Sequence, residues 1–326
     1  MSKNIKEKFE KLFKNELSPN EAREFLIELY KKSESGEDIA IASEIMRKYS
    51  IKLPIPKELE EKIVDIVGTG GDKSGTFNIS TTVSLLLSST GAYVAKHGNR
   101  SITSRSGSAD LLETLGVNLN LSPQNQVKML EESRFCFMFA INHHPAMKHI
   151  MPIRKSIEHR TIFNLLGPLT NPAGVKKYLL GVFSPDYIEK MATALTKLDI
   201  KRAFVVSSLD GMDEISLSSN TKFAYVENEK FYTGEIDPEE LGFKKVPKEA
   251  ILGGDSKKNA QITLNIFSNR ATKPQKDIVV LNAGYALFAD GTARDLKEGF
   301  EIATDAIESG KAKEHLEFIK KISNEL

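Results

Sequence analysis

Apolar positions recur at helical spacing through the first sixty residues. Ala22, Phe25, Leu26, Leu29 and Tyr30 fall at i, i+3 and i+4, which puts them on one helix face. Ser18-Pro19-Asn20-Glu21 precedes them. Ser at the N-cap, Pro at the first helical position and Glu at N3 form a start signal. Ser33-Glu34-Ser35-Gly36 ends that helix, and Ile39 to Tyr49 gives another. Pro54 and Pro56 mark a boundary, so a small α-helical domain is expected over residues 1–61.

The pattern then changes period. Ile63 to Val67 is a short apolar run that reads as a strand, and a helix is expected to open near Asn78 to Thr81. Ala92 to Ala95 reads as a second strand, followed by helices over Ser108–Leu115 and Pro123–Glu132. Phe135 to Ile141 and Ala203 to Val206 read as further strands. Ile215-Ser216-Leu217 and Phe223 to Val226 suggest an antiparallel patch, and helices return from about 256 to 324. Strands alternating with helices predict an α/β domain over 62–326 with a mostly parallel central sheet.

Composition narrows the function. The chain has 326 residues, with 45 Lys plus Arg against 44 Asp plus Glu, a net charge of +1. That balance disfavours a nucleic-acid binder, which ordinarily carries a basic excess. No run approaches the ~18 apolar residues of a membrane span, so no membrane partner is expected. The charged start, MSKNIKEKFEKLFKNE, has no apolar signal core. The single cysteine, Cys136, fits a reducing cytoplasm and lies in an apolar run, so it reads as a packed thiol. One cysteine with scattered histidines leaves no zinc-type ligand set.

Four segments carry chemistry. Gly68-Thr69-Gly70-Gly71-Asp72 follows the first strand. Its glycines let the backbone approach a ligand, and Asn78, Ser80 and Thr81 open the next helix, where phosphate oxygens are favoured. Lys96 to Asp110 follows the second strand and carries Lys96, Arg100 and Arg105 among hydroxyls, a local anion cradle in a neutral protein. Asp213 and Glu214, in Asp210-Gly211-Met212-Asp213-Glu214, are adjacent carboxylates suited to Mg²⁺. Arg154 could clamp a carboxylate through paired hydrogen bonds. His143, His144, His149 and His159 read as packing or surface residues.

Together GTGGDKSGTFNIST (68–81), KHGNRSITSRSGSADLLETLG (96–116), RTIFNLLGPLTNP (160–172) and DGMDE (210–214) resemble the anthranilate phosphoribosyltransferase family. The helical start and DIVVLNAGYAL (277–287) are similar too. The resemblance implies that anthranilate and phosphoribosyl pyrophosphate give N-(5-phosphoribosyl)-anthranilate and pyrophosphate, with two Mg²⁺ ions per subunit. It implies phosphoribosyl pyrophosphate contacts at Gly68, Gly71, Asp72, Thr76, Asn78, Ile79, Ser80 and Thr81. It implies more at Lys96, His97, Gly98, Asn99, Arg100, Ser101, Ile102, Thr103, Ser104 and Ser108. Gly68, Asn99 and Arg154 would meet anthranilate, and Ser80, Asp213 and Glu214 would bind metal. It also implies helices near 160–195 joining the small domain, and a cytoplasmic homodimer formed through that domain. No general base is assigned. Ser207-Ser208-Leu209 departs from the His-Gly type segment that many members carry before the DG-x-DE motif. The alternatives are a pyrimidine nucleoside phosphorylase-like enzyme, disfavoured by Gly98-Asn99-Arg100 where Ser-Thr-Gly-Gly would stand, and a catalytically silent nucleic-acid-binding relative.

Overall fold

A computed structural model describes residues 2–101 and 105–326, apart from the side chains of Ser2 and Lys3. The chain opens with α1 (Ser2–Phe13), α2 (Pro19–Lys32), α3 (Gly36–Lys48) and the short α4 (Lys57–Glu60). The predicted capping box starts α2: Ser18 Oγ accepts the Glu21 N–H at 3.3 Å, and Glu21 Oε2 accepts the Ser18 N–H at 2.9 Å. A second box, Ser35 with Asp38, starts α3.

The α/β part runs β1 (Ile63–Gly68), α5 (Ile79–Thr90), β2 (Tyr93–Gly98), α6 (Ser108–Thr114), α7 (Pro123–Ser133) and β3 (Phe135–Phe139). Then come α8 (Ala140–His143), α9 (Met147–Lys155), α10 (Phe163–Leu169), β4 (Lys177–Gly181), α11 (Ile188–Lys197) and β5 (Arg202–Ser208). An antiparallel hairpin, β6 (Thr221–Glu227) and β7 (Lys230–Ile236), follows β5. The chain closes with α12 (Ser256–Phe267), α13 (Lys273–Asp290), α14 (Leu296–Glu308) and α15 (Lys311–Glu325). The seven-stranded sheet has the order β3-β2-β1-β4-β5-β6-β7, and its first five strands are parallel. This is the expected α/β class with a helical N-terminal part.

Three local expectations change. Lys177–Gly181 is a central strand, inside the segment expected to supply only helices. Its Tyr178, Leu179, Leu180 and Gly181 are all buried, so it carries no alternating pattern to advertise a strand. β2 extends to Gly98, because Lys96, His97 and Gly98 pair with Phe137, Met138 and Phe139. Ile215–Leu217 lies in a loop, and only the 223–226 half of the predicted patch forms a strand.

Each sheet face has its own core. Val64, Ile66, Val94, Leu179 and Phe204 pack on α5 and the C-terminal helices through Leu85, Leu86, Ile278 and Leu281. Ile63, Val67, Ala95, Tyr178, Leu180 and Val205 pack on the other side, with Phe9, Leu26, Ile39 and Ile45 of the N-terminal helices. Cys136 is buried in that second core, where burial pushes its thiol pKa far up, as a packed thiol requires. Among the described residues no helix is long and apolar enough to cross a membrane.

Candidate active site

The sheet order makes the site. The chain adds β2 and β3 on one side of β1, then returns to add β4 and β5 on the other. The C-terminal ends of β1 and β4 therefore diverge at a topological switch point, where α/β sheets open a crevice. Gly68 and Gly181 are paired across that point. Thr69 N–H donates to Gly181 O at 3.0 Å and Thr69 Oγ1 accepts the Phe183 N–H at 3.1 Å, so both loops leave together.

Asp213 closes the crevice from the β5 side. Its Oδ2 accepts the Gly70 N–H at 2.7 Å. A Cβ at Gly68 would run into that carboxylate, and one at Gly181 would run into the Asp213 carbonyl. Both glycines are needed for this close approach, and neither has positive φ. Asn282 of α13 holds the next residue but one. Its Oδ1 accepts the Ile215 N–H at 3.0 Å and its Nδ2 donates to Ile215 O at 2.9 Å. Asp210 turns away from the crevice: its carboxylate accepts from Ser216 Oγ at 2.7 Å and from Ser218 Oγ.

Asp72, Asp213 and Glu214 each bring a carboxylate oxygen within 4.8 Å of the others. Burial, then the neighbouring Asp72, pushes Asp213 up to about 7. Burial with Asp213 and Asp72 holds Glu214 well above the usual carboxylate range. Asp72 Oδ2 and Glu214 Oε2 are buried without a hydrogen-bond partner among the described residues. Unpaired, converging, hard oxygen donors fit a divalent cation of the Mg²⁺ type. Ser80, Asp213 and Glu214 also line one small cavity with Gly181 and Asn282.

The predicted anion cradle separates into distinct environments. Lys96 is 1% exposed and is a strand residue. Its Nζ donates to Ile66 O at 2.6 Å and lies 3.5 Å from Ser80 Oγ. Burial pulls its pKa down to about 8, opposed by Asp65, Glu214 and Asp213. Arg100 instead faces α6, with Nη1 at 2.6 Å from Glu113 Oε2 and 3.1 Å from Asp110 Oδ1. Nearby carboxylates in sequence explain that: the same motif supplies Asp110 and Glu113. Asn99 Oδ1 accepts the Arg100 N–H at 2.8 Å. Asp110 Oδ2 accepts the Ser101 and Gly107 N–H groups at 3.0 and 2.8 Å. Arg105 is exposed, and Ile102, Thr103 and Ser104 lie outside the described residues.

On the glycine loop, Arg160 Nη2 donates to Gly71 O at 2.6 Å and stacks over Phe183 at 3.6 Å, a tie the sequence reading missed. Thr76 Oγ1 is 3.0 Å from Ser74 Oγ. Ile79 is buried in the core, so only its backbone could face a ligand. Thr81 Oγ1 donates to Ser108 Oγ at 2.9 Å. Asn78 does not cap α5 with its side chain, contrary to the usual role of such a residue. Gly98 packs against Phe137 and Ser108, where a Cβ would be at 2.9 and 3.2 Å.

On the other sheet face, His97 and His144 form a buried pair. His97 Nδ1 meets Gly167 O at 3.1 Å, so it carries the proton, and its Nε2 accepts from His144 Nε2 at 3.3 Å. Burial, then His144, drives His97 well below its ordinary value. Arg154 is half-buried near α10. Its Nη1 lies 3.4 Å from Met151 Sδ and its guanidinium stands over Phe163 at 5.2 Å. No carboxylate pairs with it among the described residues, and burial lowers its pKa to about 10. An unpaired half-buried guanidinium is suited to an anionic partner.

The comparisons with known proteins support the same fold. The model of the glycosyl transferase family, a/b domain, matches residues 60–313. An anthranilate phosphoribosyltransferase of Aquifex aeolicus (strain VF5) is 44% identical over 295 residues, covering 90% of this chain and 86% of that protein. The crystal structure of anthranilate phosphoribosyltransferase from Thermus thermophilus matches with TM-score 0.93 and 39% identity, over 99% of this chain and 96% of that one. The Saccharomyces cerevisiae enzyme in complex with PRPP and Mg matches with TM-score 0.86 and 29% identity, over 94% and 86% of the two chains. With a matching fold and this identity over nearly its whole length, the chain belongs to the anthranilate phosphoribosyltransferase family.

Proposed function

We propose that this protein transfers the 5-phosphoribosyl group of phosphoribosyl pyrophosphate to the amine of anthranilate, releasing pyrophosphate, a step of tryptophan biosynthesis. The observation that carries this is the Asp72, Asp213 and Glu214 cluster at the switch point, beside the glycine loop and the opening of α5. Asp213, Glu214, Asp72 and Ser80 would hold Mg²⁺, and two ions would fit the number of donors. Bound there, the metal supplies charge neutralisation for the departing pyrophosphate.

The remaining work falls to the chain. Lys96, fixed by Ile66 O, presents a buried cation beside Ser80 and stabilises anionic phosphate oxygens without reorganising. Gly68 to Thr76, the α5 opening from Asn78 to Thr81, and Ser108 would surround the phosphoribosyl pyrophosphate. So would the 96–104 segment. The Arg100 guanidinium, tied to Glu113, would leave phosphate contact there to backbone groups. Arg154 and Asn99, with Gly68, would hold anthranilate by its carboxylate and ring edge. Holding two substrates in line is worth about 7–11 kcal/mol of the barrier. The aromatic amine is neutral at pH 7, so attack needs no base. Both His97 ring nitrogens are already engaged, which excludes it from that role in this arrangement.

The division at residue 61, cytoplasmic location and dimerisation through the N-terminal helices belong to the same reading. Dimerisation through these helices is compatible with the amphipathic α2, whose buried Ala22, Phe25, Leu26 and Leu29 lie on one face and leave the other exposed. Pyrophosphate release tests the reaction. It should require anthranilate and metal together. Release of free base from a pyrimidine nucleoside with inorganic phosphate, and no pyrophosphate with anthranilate, would favour the phosphorylase reading instead.

A further inference from the structure

Asn259 stands on α12, outside every segment that points to substrate, and is 2% exposed. Its two amide ends are both committed. Oδ1 accepts the Gly254 N–H at 2.8 Å, and Nδ2 donates to Asn78 Oδ1 at 2.8 Å. The first bond fixes the second, since a backbone N–H can only donate and so sets which end of the amide is oxygen. Asn78 is thereby forced to turn its own oxygen toward α12. Its Nδ2 then donates to Ser106 O at 3.0 Å, and Ser106 Oγ donates back to Asn78 Oδ1 at 3.1 Å.

The same stretch grips the glycine loop directly. Gly253 N–H donates to Gly75 O at 2.9 Å, Phe77 N–H donates to Ile251 O at 3.4 Å, and Thr76 bridges Leu252. A Cβ at Gly253 would lie 2.6 Å from Phe77 N and 2.6 Å from Asn259 Oδ1, so no other residue fits so close.

We infer that Asn259 is a positioning residue for phosphoribosyl pyrophosphate: through Asn78 it fixes the polarity of one amide chain that ties Ser106 to the 251–254 stretch gripping the 70–77 loop, at the opening of α5. This rests on the proposed substrate. Loss of the lock should raise the KM for phosphoribosyl pyrophosphate while leaving that for anthranilate unchanged.

The test uses the whole enzyme. Asn259→Asp keeps shape but presents an oxygen to Asn78 Oδ1, so two acceptors face each other. Asn259→Ala removes the contact and serves if the Asp variant does not fold. Thr263→Val is the matched control. Thr263 Oγ1 lies 2.8 Å from Thr82 Oγ1, a buried bond between the same two helices one turn farther from the loops. Steady-state rates and thermal melts are measured for all three, with calorimetric binding of phosphoribosyl pyrophosphate in MgCl₂. The expected result is a rise of at least about fivefold in the phosphoribosyl pyrophosphate KM and Kd for the Asn259 variants, and none for Thr263→Val at a similar loss of Tm. Equal KM changes in the control, or none in the Asn259 variants, would overturn the positioning role. Inactive wild-type enzyme that binds no phosphoribosyl pyrophosphate would instead overturn the proposed function.

Discussion

The Asp213 carboxylate packs against Gly68 through Oδ2, with no room between them for a single carbon. One parallel strand thus ends where an acid from the loop after β5 must sit. Gly68→Ala is expected to displace the carboxylate while leaving the fold intact, since the Gly68 backbone is not in the left-handed region. The displaced contact includes a charged hydrogen bond from Gly70, worth roughly 1.5–3 kcal/mol. The Mg²⁺ concentration for half-maximal rate should therefore rise about tenfold or more. Circular dichroism with a Mg²⁺ titration of the rate checks this, and an unchanged titration would contradict it.

Asp213→Asn with Glu214→Gln removes two of the three clustered charges. Turnover should vanish, and calorimetry should lose metal-dependent phosphoribosyl pyrophosphate binding. Because burial, then the neighbouring carboxylates, disfavour ionised Asp213 and Glu214 without a cation, the double variant should be no less stable than the parent without metal. Near-normal turnover at low Mg²⁺ would remove these residues from the metal role.

Arg154 has no carboxylate partner among the described residues, so its removal breaks no ion pair of the free enzyme. Arg154→Ala should raise the KM for anthranilate about tenfold to a hundredfold, the range of a lost charged hydrogen bond, and spare that for phosphoribosyl pyrophosphate. Equal losses for both substrates would count against a carboxylate clamp.

The His97 and His144 pair predicts an acid-sensitive fold. Burial holds both neutral, with His144 lowered from 6.5 to about 4. The unfolded chain takes up their protons near 6.5 and the folded one does not, so stability is complete above that pH and falls as pH drops toward about 4. At about 1.4 kcal/mol per unit, His144 alone accounts for about 3 kcal/mol across the window. Urea melts from pH 7 to 4 should show it, and His144→Gln should flatten the slope. An equal slope in the variant would assign the acid sensitivity elsewhere.

The elements that announced themselves in the sequence did so for local reasons. The Ser18 capping box and the apolar face of α2 are written within fourteen residues of one helix. The glycine loop and the Asp213-Glu214 pair are equally local, and the structure brings both to one sheet edge. What stayed hidden depends on distant partners. β4 is buried on both faces and so lacks a period. Lys96 belongs to a strand only through its pairing with β3, and Arg100 is drawn from the expected anion cradle by acids that α6 turns toward it. Asn282 and Arg160 act through single contacts to backbone far along the chain, which leave no spacing to read.

The most direct test follows the fluorescence of anthranilate with the purified protein. It should decay only when phosphoribosyl pyrophosphate and Mg²⁺ are both present, and stop on adding chelator. Undiminished fluorescence with all components, or decay that a chelator does not halt, would contradict a metal-dependent phosphoribosyl transfer to anthranilate.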